Sequence, residues 1–409
     1  MMKLRNADNY VIQKADSDDI IYINITVPYS PNIFGISPAV YQQQLNYPIL
    51  YDAQSYFMTI ISFSLPTYSI PFLIAPIQPD LAPYFNTNSG INAPMVQSFT
   101  LTYGAIMPPQ TFVLYDPPSP TYPPSPPLTP ENPYVQDVPF YFIYQYTQLL
   151  AMWNTALVTA FNTLNAAVPG GLPVGSLPPY FIYDGTLQRI ALITQIANYN
   201  QALVNHIDIY TNIPMGPFVD GLPVTYINGA LLNGSGRDIL FNITDLGNNG
   251  YFPTSLAGVQ QPVACCGTAA EFYIFEQQYN ALINWNSFNQ IQVESNLLPI
   301  KQEFVPTPLT NANVVGTSNA GTVSNVGILS TFIPLLVNGA DYKGYIDFSA
   351  TGPYRYINMY GALPISIVDF KFYWTTQNGN RILLNIPYNQ SILIKLMFIK
   401  KSVVGQINK

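Results

Sequence analysis

Short runs of alternating apolar and polar residues, each cut off by Pro, Gly or Asn, restrict this chain more than any other feature. "YINITV" (22–27) puts Ile23, Ile25 and Val27 on one face. "SYFMTIISFSLP" (55–66) does so with Phe57, Ile61 and Phe63 around a polar Thr59, and "SFTLTYG" (98–104) with Phe99, Leu101 and Tyr103. A period of two is the pattern of a strand with one face buried. "HIDIYTN" (206–212), "RDILFNIT" (237–244) and "FNQIQVESNLLPIKQEFVP" (288–306) read as further strands, and "YFIYDGTLQRIALIT" (180–194) as a hairpin turning at Asp184-Gly185. Segments this short and this numerous predict a sandwich or barrel.

Two stretches depart from that rhythm. In "YTQLLAMWNTALVTAFNTLNAAV" (146–168), Leu149, Trp153, Leu157, Phe161, Leu164 and Val168 recur at three- and four-residue spacing. This predicts an amphipathic helix stopped by Pro169 and the glycines after it. A second helix is expected in 268–285, where Thr268 and Glu271 form a capping box and Phe272, Phe275, Tyr279 and Ile283 fall on one side. Between the first strands and the first helix lies "MPPQTFVLYDPPSPTYPPSPPLTPENP" (107–133), with eleven prolines in 27 residues. That is too much proline for helix or sheet, so an extended, exposed strap is expected. It lies along a neighbouring subunit, presents a binding segment, or serves as a plain linker between two halves.

Charge sets a further limit. The chain has 409 residues and only 9% are charged, against about 25% in ordinary proteins. No Lys or Arg occurs in the 174 residues between Lys14 and Arg189. Exposed positions must be filled by Asn, Gln, Ser, Thr and Tyr, which suits a protein packed against neighbours. A net charge of −7 argues against nucleic acid as the principal ligand, because phosphate binding needs clustered cations. No apolar run approaches the ~18 residues of a membrane span, and the N-terminus lacks the apolar core of a signal peptide.

Catalytic patterns are missing. His206 is the single histidine, and Cys265 and Cys266 are adjacent rather than spaced as a zinc knuckle. "GTSNA" (316–320) and "GALLNGSG" (229–236) fall short of a nucleophile elbow and a phosphate loop. "DSDD" (16–19) lacks the spacing of a calcium loop. No catalytic residue, metal ligand or cofactor is read from the sequence.

Five of the fourteen basic residues, Lys371, Arg381, Lys395, Lys400 and Lys401, fall in residues 369–401. This tail reads as a three-strand meander in which Ile392, Ile394, Leu396 and Phe398 face a core. Lys395 does not interrupt that set, and Lys400 and Lys401 finish the strand, where they guard a sheet edge or neutralise acidic groups on an adjoining subunit. With Tyr115 and Tyr122 of the strap and Tyr134 just after it, the three lysines Lys395, Lys400 and Lys401 are the candidate interface residues.

"ESNLLPIKQEFVP" (294–306) and "GPYRYINMYGALPISIVDFKFYWTTQNGNRILLNIPYNQSILIKLMFIKK" (352–401) resemble penton or minor capsid proteins of small double-stranded DNA viruses, the polinton-like viruses and virophages. "YFIYQYTQLLAMWNTALVTAF" (141–161) and "YFMTIISFSLPTYSIPFLI" (56–74) are similar to the same group. The resemblance implies a jelly-roll domain, homopentamers at capsid vertices, and contact with a major capsid protein. Arg-Gly-Asp, which some pentons use to grip receptors, is absent; "GSGRD" has another order.

The expected architecture is therefore mainly β. Residues 1–14 are an N-terminal arm, and 15–106 and 286–405 are two parts of a jelly-roll sandwich. Residues 107–133 are the strap or linker, 134–285 an inserted or second β-rich domain with helices near 146–168 and 268–285, and 406–409 a tail. The expected function is that of a non-enzymatic virion protein. A glycan-binding or glycan-cleaving β-protein, and a major capsid protein, are the alternatives that the residues leave open.

Overall fold

A computed structural model describes residues 10–14, 19–32, 37–71, 73–77, 96–116, 140–184, 189–227, 236–244, 272–279, 288–306, 323–332, 345–349, 355–376 and 381–407. Two compact units result, one comprising Met1–Pro71, Leu128–Pro133 and Ser287–Lys409, the other Phe72–Pro127 and Tyr134–Asn286. Along the chain come β1 (Tyr10–Lys14), β2 (Ile20–Pro28), β3 (Val40–Gln44) and β4 (Tyr56–Pro66). The second unit holds β5 (Leu73–Pro76), β6 (Ser98–Tyr103), β7 (Thr111–Phe112), β8 (Phe140–Ile143), β9 (Tyr180–Asp184) and β10 (Arg189–Gln195). It continues with β11 (Ile207–Thr211), β12 (Val224–Tyr226), β13 (Ile239–Phe241) and β14 (Phe272–Glu276). The first unit resumes with β15 (Phe288–Glu294), β16 (Glu303–Pro306), β17 (Val323–Val326), β18 (Ile328–Phe332) and β19 (Tyr345–Ser349). It ends with β20 (Ile357–Asn358), β21 (Ile367–Thr376), β22 (Arg381–Leu383), β23 (Ser391–Lys400) and a helix, Lys401–Ile407.

The first unit is a jelly roll. One sheet runs β1-β2-β23-β4-β19, with β20 beside β4, and the other runs β18-β15-β21-β22, with β3 also on β21. Eight strands taken in chain order, β2, β3, β4, β15, β18, β19, β21 and β23, are thus divided between two antiparallel sheets in the jelly-roll order. First, eighth, third and sixth form one sheet, and second, seventh, fourth and fifth the other. The sheets meet through buried inward side chains, and the Phe63 and Phe332 rings lie 4.1 Å apart across the gap. The second unit interrupts the run between β4 and β15.

β23 shows how the sequence makes this core. Ile392, Ile394, Leu396 and Phe398 are buried, as alternation requires. Met397 and Ile399 are buried on the opposite face, with Val404 of the terminal helix. The tail is not a three-strand meander. β21 and β22 form its hairpin, but β23 leaves that sheet to pair with β2 and β4 in the other. A strand apolar on both faces needs a neighbour on each side and cover above and below, which only the middle of a sandwich sheet supplies.

β4 carries a second departure. Its register with β23 shifts between Lys395 and Leu396, and a one-residue bulge reverses which face each side chain takes. Phe57 and Ile61 therefore pack with Met397 and Ile399. Phe63 points into the sandwich instead of sharing their face.

In the second unit the helix Tyr146–Ala167 buries Leu149, Trp153, Leu157, Phe161 and Leu164. Trp153 is fully buried, within 6.5 Å of Phe99 on β6 and 5.3 Å of Phe181 on β9. Its indole N–H donates to Gln97 Oε1 at 3.0 Å. Gly170 and Gly171 follow the helix at φ +83° and +79°, a conformation glycine adopts without a Cβ clash. β9 and β10 pair as the expected hairpin, while its turn residues 185–188 lie outside the described residues.

Two boundaries are corrected. β6 is not part of the sandwich; it pairs with β11 and β7 in the second unit, where Phe99 packs against Trp153 and Leu101 is buried. The helix expected in 268–285 is absent from its described part, where β14 pairs with β10 from Gln195↔Phe272 to Ala191↔Glu276. Phe272 and Phe275 satisfy helical spacing, but Tyr273 and Phe275 are buried while Phe272 and Ile274 pack on the opposite face. A run apolar on both sides completes a sheet better than an exposed helix. Thr268 and Glu271 lie outside the described residues.

Candidate assembly surface

One end of the jelly roll is built from three connections that hydrogen-bond to one another. The β3–β4 connection meets the stretch before β21 through Leu45 N to Ser366 O at 2.7 Å, Ile49 N to Ile365 O at 2.8 Å and Ile365 N to Leu50 O at 2.9 Å. Gln54 N donates to Gly361 O at 3.1 Å, and Tyr360 N to Pro299 O at 2.8 Å, which brings in the segment after β15. That segment is fixed by Asp369, a buried carboxylate on β21 that accepts from the Asn296 and Leu297 N–H groups at 2.9 and 3.0 Å and from the Ser295 hydroxyl. The three connections expose Tyr47 (79%), Tyr51 (73%), Leu363 (81%), Leu297 and Tyr360. Residues 45–51, 295–300 and 359–366 contain no charged side chain.

Of the residues expected at an interface, the described ones have partners within the chain. Lys395 is half-buried in the middle of its sheet, its ammonium 5.2 Å from the Tyr22 ring centre. Lys400 pairs with Asp19 at 2.8 Å. Lys401 reaches the Met359 carbonyl at 3.4 Å and sits 5.4 Å from the Phe57 ring centre. Since β23 is flanked by β2 and β4, the lysines do not guard an edge, and the acid that Lys400 meets belongs to its own chain.

Tyr115 is buried rather than displayed. Its ring stacks on Tyr141 at 4.0 Å, and burial pushes its hydroxyl up to about 12. Tyr122 and Tyr134 lie outside the described residues. The exposed tyrosines and leucines escaped the sequence reading because they occupy turns with no period. The available signal was a set of Pro-containing, charge-free apolar turns, "LNYPILY" and "GALPI".

Chemistry elsewhere is sparse. His206 Nε2 lies 3.3 Å from Asp208 Oδ1, and its Nδ1 lies 2.8 Å from the Leu203 carbonyl. Among the described residues no three His, Cys, Asp or Glu side chains cluster as metal ligands, and no helix is long and apolar enough to cross a membrane.

Residues 21–400 match the family described as Sputnik minor capsid protein V18/19. Structural protein V19 of Sputnik virophage is 40% identical over 223 residues, which is 54% of this chain and 94% of V19. A second Sputnik virophage protein, the uncharacterized protein V18, is 39% identical over 175 residues, 42% of this chain and 97% of V18. A chain in the 3.5 Å cryo-EM structure of the Sputnik virophage superposes with a TM-score of 0.72 at 40% identity, covering 94% of this chain and 99% of that one. The crystal structure of the mavirus penton protein shares the fold, with a TM-score of 0.55 at 13% identity over 93% of this chain and 99% of that one. A jelly roll with these relatives is a structural, non-enzymatic component of a viral capsid, and the chain belongs to the Sputnik minor capsid protein V18/19 family.

Proposed function

We propose that this protein closes the vertices of a virophage-type capsid as a homopentamer, its jelly roll set among copies of a major capsid protein. The observation that carries this reading is the topology. One complete eight-strand sandwich has a whole second unit inserted between its third and fourth strands. A single sandwich gives each copy one body to set in a ring, and an insertion at one connection leaves the order of the remaining strands intact. The mavirus penton protein shares this fold over most of both chains. The low charge fits the same role, because extended interfaces between copies are depleted in charged side chains.

Light scattering on the purified protein, with negative-stain images of the same fraction, tests the reading. A five-fold ring of matching mass is the expected result. A stable monomer at high protein concentration, both alone and with the major capsid protein, would overturn it.

A further inference from the structure

We propose that the second unit docks a basic segment of a partner protein, seating a lysine or arginine side chain on Asp220 beside the rings of Tyr226 and Tyr279. The inference goes beyond the capsid-vertex reading and holds for a single copy, since every group it uses lies in one unit.

Charge is divided unevenly along the chain. The second unit holds ten of the 21 Asp and Glu residues but only Arg189 and Arg237 of the 14 basic ones, which leaves it at −8. The first unit, with twelve basic and eleven acidic residues, stands at +1. Of the two arginines, Arg189 already faces the buried Glu276 carboxylate at 3.9 Å. A surface with this excess repels phosphate backbones and anionic lipid and draws in cations.

The helical turn Gly216–Val219 leads into the place where such a cation would come to rest. Asp220, next in the chain, is exposed, and among the described residues no Lys, Arg or His pairs with it. Two exposed tyrosines, Tyr226 on β12 and Tyr279 just past β14, lie against the same turn. A Cβ at Gly216 would stand 3.4 Å from the Tyr226 hydroxyl, and one at Gly221 3.2 Å from the Tyr279 ring. The Tyr279 hydroxyl donates a hydrogen bond to the Asp220 side chain, which pushes it up to about 12. Burial raises the Tyr226 hydroxyl, and the nearby Asp220 charge raises it further.

The turn is held in place from beneath. Asp220 N donates to the Gly216 carbonyl at 3.1 Å and Gln278 N to the Gly221 carbonyl at 2.9 Å. The buried Gln277 amide donates to the Phe218 and Asp220 carbonyls at 3.1 and 2.9 Å. A fixed carboxylate beside aromatic rings suits ammonium and guanidinium groups, because the ring faces attract a cation and the carboxylate supplies the opposite charge. A neutral sugar would draw nothing from the excess of −8.

The test titrates full-length protein onto a fluorescein-labelled peptide of alternating Gly and Lys, at low salt, followed by anisotropy. Asp220→Asn is expected to weaken binding about fivefold, the worth of one exposed charge at contact distance. Asp116→Asn, which removes the same charge from an exposed position on another connection, should weaken it less than about twofold. Tyr279→Leu removes a ring face and should cost about threefold. Tyr279→Phe keeps that face, frees the carboxylate from its hydrogen bond and should bind at least as tightly as wild type. Asn at 220 can still accept from Tyr279, and unchanged circular dichroism confirms that folded proteins are compared. Absence of peptide binding overturns the proposal, as do equal losses for the two Asn variants, which would leave only the diffuse field of the unit. Tyr279→Phe falling as far as Tyr279→Leu overturns the part given to the ring. Displacement of the peptide from wild type by chitotriose, a neutral sugar, overturns it in favour of a glycan site.

Discussion

Replacing Arg381 by Met should destabilise the jelly roll by about 3 kcal/mol, whereas replacing Arg381 and its partner together should cost almost nothing. Arg381 on β22 crosses the Tyr373 ring, 4.7 Å from its centre, to donate to Gln292 Oε1 at 3.2 Å and to pair with Glu294 on β15. The Glu294 side chain is only 4% exposed and that of Arg381 19%. Removing the guanidinium strands a carboxylate in the sheet, for which about 3–5 kcal/mol is usual. Lys371 sits directly opposite Glu294 in the register, which favours the lower figure. Glu294→Leu leaves Arg381 with Gln292, Tyr373 and some solvent, so about 1 kcal/mol is expected. In Glu294→Leu/Arg381→Met no charge remains to be desolvated, and stability should return to within ~1 kcal/mol of wild type. Urea unfolding at fixed protein concentration, followed by hydrogen exchange in peptides from β15 and β21, reads this unit by itself. Equal, small losses for the two single substitutions would refute the reasoning, as would additivity in the double variant.

Gly327→Ala should cost ~1–3 kcal/mol, because its Cβ would stand 2.3 Å from the Ser295 backbone oxygen beside the irregular register of β15 and β18; a melting temperature equal to wild type would refute it. Tyr115→Ala should cost about 3 kcal/mol through lost burial and stacking on Tyr141, with faster exchange in residues 111–116 and 140–143, and unchanged exchange there would refute it. Lys400→Met should lose less than ~1 kcal/mol, since both partners of its ion pair are a third or more exposed, and it should leave the oligomer mass unaltered. A change in mass would return Lys400 to the interface.

What the sequence disclosed depended on how local the determining forces were. The helix Tyr146–Ala167 was readable because one stripe faces the core and the other faces water. There Thr155, Thr159 and Thr163 satisfy their hydroxyls on carbonyls four residues back, so the exposed face needs no charge. Strands with a single buried face, such as β2 and β11, were equally plain. β14 was not, since five consecutive residues with apolar groups on both sides fit either period. The bulge in β4 was invisible because it depends on the partner strand. Pairing was the largest gap: Ile20 lies opposite Ile399 at the far end of the chain, and nothing near either residue specifies the other. Lysines that look like an edge guard in a tail become internal braces once β2 and β4 flank it. The exposed tyrosines were hidden for the opposite reason, because turns carry no periodicity against which an unburied apolar residue stands out.

Pairing over that distance also explains where the second unit is tolerated. β4 and β15 belong to opposite sheets, so their connection crosses between layers and contributes no ladder hydrogen bonds that its length would disturb. Loop-closure entropy rises by only about 0.6 kcal/mol for each doubling of length, and the β2–β23 pairing must close almost the whole chain in any case. An insertion in a hairpin such as β21–β22 would instead separate strands whose register is set by their turn. It follows that a protein in which residues 72–286 are replaced by a short Gly/Ser connection should keep the jelly roll, with β15 and β21 peptides as protected from exchange as in the wild type. The shorter crossing should slightly stabilise rather than weaken it. Loss of protection throughout β2, β4 and β23 would mean that the second unit supplies part of the sandwich's stability, and that insertion at this crossing is more than an entropic convenience.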